Sequence, residues 1–166
     1  MFPDVIKAVD SIAEVMMFEN WLRFYFIEED ENDKLVMRLP EKAMEQLQKR
    51  YASFYSLAEF LNNEEITHKT SMDAVCLFIA QEMEGNALPE GGAARVFDSP
   101  QFQLEMQLFG SWVQSHEEQL DAGFMEFSQW LSLFREWKQS DEVKEYTKRL
   151  AETMPLPASN TSTTTQ

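Results

Sequence analysis

The sequence predicts an all-α protein, and three observations lead there. Apolar residues recur three and four positions apart along most of the chain, only 5 Gly interrupt it, and 44% of the residues are apolar. A fold of many short strands and tight turns would need more turn residues. A length of 166 residues suits one domain with one core. The expected organisation is a single-domain bundle over residues 1–154, with about five to six amphipathic helices, and a disordered polar tail over residues 155–166.

Pro3 suits a first helical turn and Asp4 the positive end of the helix dipole, so the first helix opens there. Val5, Val9, Ile12 and Met16 make one stripe, but from Val15 to Ile27 only Glu19, Asn20 and Arg23 interrupt an apolar run. That half is deeply buried or adhesive. The acids from Glu28 to Asp33 repel one another and read as a solvated connector. Residues 34–39 read as a short extended segment. Pro40 opens a second helix with Leu47, Tyr51, Phe54, Ala58 and Leu61 on one face, ending near Asn62 and Asn63.

Thr70 or Ser71 caps a third helix with Met72, Val75, Cys76, Ile79 and Met83 on its core face, closed by Gly85. The stretch from Gly85 to Asp98 has no period and is expected to be a flexible loop. Ser99 and Pro100 form a cap and first-turn pair for a fourth helix carrying Phe102, Met106, Phe109, Val113, His116 and Leu120. After a bend at Asp121 to Gly123, Phe124, Phe127, Leu131 and Phe134 define a dense aromatic fifth helix with Trp130 and Trp137 beside them. Ser140 caps the last helix, in which Val143, Tyr146 and Leu150 face inward. The segments MMFENWLRFYF and FMEFSQWLSLF echo each other, which reflects shared core composition and falls short of a repeat array.

The formal net charge is -15, so phosphate backbones and anionic membranes are repelled while basic surfaces are attracted. Between Thr70 and Phe134 the only base is Arg95, against ten acids. No signal-like start and no long uninterrupted apolar run is legible, so a cytoplasmic location off the membrane is expected. Cys76 stands alone, so no internal disulfide is expected.

The chemistry-bearing patterns are weak. Asp30, Asn32 and Glu41 fall at calcium-loop positions, but Lys34, Leu35 and Pro40 break the pattern. Glu65 and His68 have the spacing of half a di-iron site, and no second half exists, since Val113 stands where His116 would need a Glu. His116 lies on an apolar stripe, and Ser115 beside it is expected to point to another face. Cys76 reads as an inert core thiol. Gly91, Gly92 and Arg95 match no phosphate loop. No catalytic residue, cofactor site or metal site is predicted.

What remains is an apolar load of 13 Phe, 4 Trp and 10 Met, heavy for a small acidic domain. Part of it is expected at the surface, as a groove for another protein that is basic or amphipathic. The candidates are Met16, Met17, Phe18, Trp21 and Phe24 on the first helix, with Trp130, Phe134 and Trp137 on the fifth. Taken singly, each is better explained as core filling. The expected function is a non-enzymatic protein-binding module: an adaptor, a regulatory subunit or an assembly chaperone. A homodimer is compatible with it, and direct nucleic-acid binding is not expected. The alternatives are a small-molecule sensor with an aromatic helical pocket, an enzyme using scattered carboxylates, and an acidic mimic of nucleic acid.

Overall fold

A computed structural model describes residues 5–83 and 88–153. The chain is mostly helical and gathers into two compact units. Within the described residues, 14–88 belong to the first and 5–13 with 89–153 to the second. Helix α1 (Val5–Phe26) contributes to both. The expected start at Pro3 and Asp4, the closure at Gly85 and the tail at 155–166 lie outside the described residues.

In the first unit, the later part of α1 buries Val15, Met17, Phe18, Trp21 and Leu22 on one broad face, and its other apolar residues, Met16, Phe24, Tyr25 and Phe26, are half-buried. A segment with no exposed apolar residue needs neighbours on nearly every side. Glu19 is buried among them at 1% exposure, and Arg23 one turn later meets its carboxylate at 2.8 Å. The pair keeps a charge inside the unit while the guanidinium reaches toward solvent.

The chain leaves α1 directly into β1 (Ile27–Glu29), which pairs antiparallel with β2 (Leu35–Met37) in the register Ile27 to Met37, Glu28 to Val36 and Glu29 to Leu35. The extended segment falls inside the expected 34–39. The acidic run is not wholly a connector, because its first two acids lie in β1. Asp30 turns the chain: its Oδ1 accepts the backbone N–H groups of Asn32 at 2.8 Å and Lys34 at 3.0 Å, and Asp33 takes the left-handed φ of 61°. Those donors, Lys34 first and Asn32 next, hold the Asp30 carboxyl below its ordinary pKa. The outer edge of β2 is covered by residues 63–66, through Asn63 N to Met37 O (2.8 Å), Met37 N to Glu64 O (3.1 Å) and Ile66 N to Leu35 O (2.7 Å).

The expected second helix is broken. Helix α2 (Glu41–Arg50) ends at Tyr51, whose φ of -131° is not helical, and a 3-10 turn (Ala52–Phe54) leads into α3 (Tyr55–Leu61). The Tyr51 ring sits 5.9 Å from both Phe18 and Trp21, so ring packing holds the break open. Helix α3 stops at the two asparagines as expected: Asn62 Oδ1 accepts Leu39 N at 2.9 Å and Asn63 has φ 69°. Helix α4 (His68–Glu82) starts earlier than expected, capped by Thr67, which accepts the Thr70 N–H at 3.0 Å. Its buried face is Ser71, Ala74, Val75, Phe78 and Ile79. Phe78 packs 5.7 Å from Phe54 and sets this rotation, which leaves Cys76 exposed, where a core position was expected.

In the second unit, Ala8, Val9, Ile12 and Ala13 of α1 are buried. Part of the expected loop is helical: α5 (Gly92–Phe97) follows Gly91 at φ 95° and begins with Gly92 at φ 75°, and Val96 is fully buried. Helix α6 (Pro100–Ser115) starts as expected, with Ser99 Oγ accepting the Phe102 N–H at 3.2 Å and donating to the Val96 carbonyl at 2.7 Å. It breaks at His116, φ -117°, and α7 (Glu117–Asp121) completes the fourth expected helix. Helix α8 (Phe127–Lys138) is closed at its start by a reciprocal capping box between Glu126 and Gln129 and buries Phe127, Trp130 and Phe134. Phe124 precedes α8 and is 54% exposed, so it is not part of the stripe. Helix α9 (Asp141–Thr153) carries the expected Ser140 cap, with Val143 buried but Tyr146 40% exposed rather than inward. The six expected helices become nine α-helices among the described residues, because two of them break and α5 forms inside the loop.

Candidate functional site

The residues expected to receive a partner separate by burial. Met17, Phe18 and Trp21 are enclosed in the first unit, and Trp130 and Phe134 in the second, each at 4% exposure or less. They fill cores. Phe24 is half-buried, with its ring 5.0 Å from Tyr25. Met16 and Trp137 are also half-buried, and Trp137 alone of the eight lines a cleft described in the second unit.

That cleft has a volume of about 310 Å³. Trp112, His116 and Gln119 line one side, and Leu133, Glu136 and Trp137 of α8 line the other. Its position follows from the packing of α6 on α8. The stripe Phe127, Trp130, Phe134 points α8 into the core, and Trp137, one turn beyond Phe134, falls at the edge of that stripe. The His116 ring lies 5.8 Å from Trp112 and 6.0 Å from Trp137, edge-on to the second at 85°. The cleft is therefore an outward continuation of the Trp112, Trp130 and Phe134 cluster.

Three contacts fix the His116 ring: Nδ1 lies 2.9 Å from Ser115 Oγ and 2.9 Å from the Trp112 carbonyl, and Ser115 Oγ lies 3.2 Å from that same carbonyl. Ser115 thus does not point away from His116, because the chain leaves the helix at this residue. The carbonyl only accepts, so all three contacts are satisfied together when Nδ1 carries the proton. Nε2 is then the acceptor left to a group entering the cleft. The same tautomer denies Nδ1 a lone pair for Ser115, so the geometry does not activate this hydroxyl as a nucleophile.

The charged residue that lines the cleft is the acid Glu136, and Arg135 before it is not part of the lining. Lys138 follows Trp137 but is held 2.7 Å from Glu105, with its ammonium 4.5 Å from the Phe134 ring centroid. Glu136 makes no ion pair among the described residues. A wider depression of about 610 Å³ along residues 114–121 shares His116 and adds Glu117, Glu118 and Asp121. The field at the cleft favours a cation.

The other sequence candidates lie elsewhere. Glu65 pairs with β2 and faces Lys34 at 3.8 Å, while His68 begins α4. Asp30 spends its carboxylate on its own turn. Cys76 is exposed, and partial desolvation, then the Asp73 carboxylate, pushes its thiol above the ordinary value, which disfavours the reactive thiolate. Among the described residues no group of three or more His, Cys, Asp and Glu is placed to hold a metal ion. Among them, too, no helix is long and apolar enough to cross a membrane.

Sequence reasoning picked out Trp137 and His116 but missed that they share a cleft, and it missed Glu136 altogether. The spacing of Trp112 and His116, one helical turn apart, was the legible signal; their meeting with α8 required the fold. Compared with family models, curated proteins and solved structures, the chain matches none.

Proposed function

We propose that this chain is a non-enzymatic protein-binding module that presents an acidic, aromatic cleft to a basic or amphipathic partner. The observation that carries the reading is Trp137, half-exposed beside Glu136, which makes no ion pair among the described residues, on a chain of net charge -15. Aromatic rings at a concave, partly desolvated place supply contact area at low entropic cost, and surrounding carboxylates steer and select the cationic partner. Adaptor, regulatory subunit and assembly chaperone are the roles that fit such a surface.

The test is titration of the full chain with basic amphipathic peptides at low and high salt, alongside a pull-down under the same conditions. The expected result is binding that weakens steeply with salt and a stoichiometric basic protein retained only at low salt. Failure of every basic peptide to bind at low salt would sink the proposal. A small-molecule pocket in the same cleft is the second reading, favoured by its enclosure between two helices. Its volume of about 310 Å³ lies at the lower edge of what such ligands occupy.

A further inference from the structure

We infer that the cleft between α6 and α8 takes one arginine side chain of the partner, an inference that rests on the protein-binding reading above. A cleft of about 310 Å³ is too small to admit a helix of roughly 10 Å diameter. It holds a single long side chain instead. Leu133 and the Trp137 ring offer apolar walls to a methylene stem.

At the head of that stem the three groups suit a guanidinium in particular. The indole face of Trp137 accepts a planar cation in stacked geometry, the Glu136 carboxylate accepts a paired N–H fork, and His116 Nε2 accepts a further N–H. An ammonium has the charge but neither the plane nor the fork. Of the two bases in the last turn of α8, Lys138 is already committed to Glu105 and Phe134, and Arg135 is not among the residues that line the cleft. Glu117, Glu118 and Asp121 in the adjoining depression add long-range attraction for the basic residues that flank the arginine.

The experiment uses the full chain and three synthetic amphipathic peptides of one lysine-rich sequence, differing at a single central position occupied by arginine, lysine or citrulline. Affinity is read by calorimetry, and the cleft by the indole N–H resonance of Trp137. The arginine peptide is expected to bind about tenfold tighter than the citrulline peptide and to shift that resonance. Trp137→Ala should erase the difference. Glu136→Gln alters an exposed side chain, leaves the fold alone, and should remove several-fold of the preference.

Equal, salt-sensitive binding of all three peptides, unchanged in both variants, overturns the arginine assignment and leaves the protein-binding reading standing. Binding of none of them at low salt overturns both.

Discussion

The two units solve one problem in two ways. Each contains a Trp-bearing helix, α1 in the first and α8 in the second, and in each a long expected helix breaks at a ring that packs against that helix. In the first unit the ring is Tyr51, 5.9 Å from Trp21, and in the second it is His116, 6.0 Å from Trp137. The centre of the first cluster is closed, since Phe18, Trp21, Leu57 and Leu61 are all at 1% exposure or less, while Tyr25, Phe26 and Tyr51 around it are half-buried. The second is likewise closed at Trp112, Trp130 and Phe134, but its half-buried rim, His116 and Trp137, lines a cleft. The difference lies in the helix. The later part of α1 is apolar nearly all round and must be surrounded, whereas α8 has one apolar face, and a one-faced helix has an edge. An aromatic residue at that edge is what a partner can reach.

The sharpest way to break this contrast is to truncate the tryptophans in turn. Trp21→Ala and Trp130→Ala should each cost about 3–5 kcal/mol of stability, and Trp137→Ala only about 1 kcal/mol, measured by denaturant unfolding. Fluorescence quenching by acrylamide should fall sharply in Trp137→Phe, because Trp21, Trp112 and Trp130 are each 1% exposed. Equal costs at all positions, or quenching that survives in Trp137→Phe, would remove the distinction between a closed and an open cluster.

A smaller effect tests the closed unit alone. Glu19 is buried and Arg23 is its partner, with the arginine side chain 38% exposed. Arg23→Ala should cost about 2 kcal/mol by stranding the carboxylate, and Glu19→Met should be milder because the freed guanidinium reaches water. The reverse order would show that Glu19 is better solvated than its burial implies.

Helix caps compare the units at lower energy. Ser99→Ala, in the second unit, should cost about 1 kcal/mol or somewhat more, since the buried hydroxyl both accepts from Phe102 and donates to Val96. Thr67→Ala, in the first, should cost less, because its hydroxyl is exposed. Urea midpoints of the two variants decide the order.

The smallest expected effect belongs to the hairpin turn. Asp30 has a folded-state pKa below its unfolded one, so its charged form contributes stability above the ordinary carboxylate range. That contribution fades as pH falls through the depressed value. Carboxyl NMR titration should place Asp30 below the other exposed acids, and Asp30→Ala should flatten the acid limb of the stability curve. An ordinary titration value would mean that the turn's backbone donors are not engaged.

Much of the local structure was legible because it is chemically local. Ser99 with Pro100, Ser140 before α9, the asparagines that end α3 and the extended stretch before Pro40 act on their own neighbours, so spacing and residue type reveal them. The breaks at Tyr51 and His116 were not legible. Neither has a proline or a glycine at the break, and each depends on a ring meeting a helix distant in sequence. The rotation of α4 was hidden for the same reason: Phe78 chose Phe54, and Cys76 turned outward as a result.

By itself the sequence determined that this chain is helical, acidic and rich in large apolar side chains, because periodicity, charge and composition add along the chain without reference to its path. Which tryptophans are sealed and which one is left at a rim was decided only by tertiary packing. Exposure belongs to a side chain and its neighbours together, and the neighbours of Trp137 come from a helix that the chain had built some twenty residues earlier.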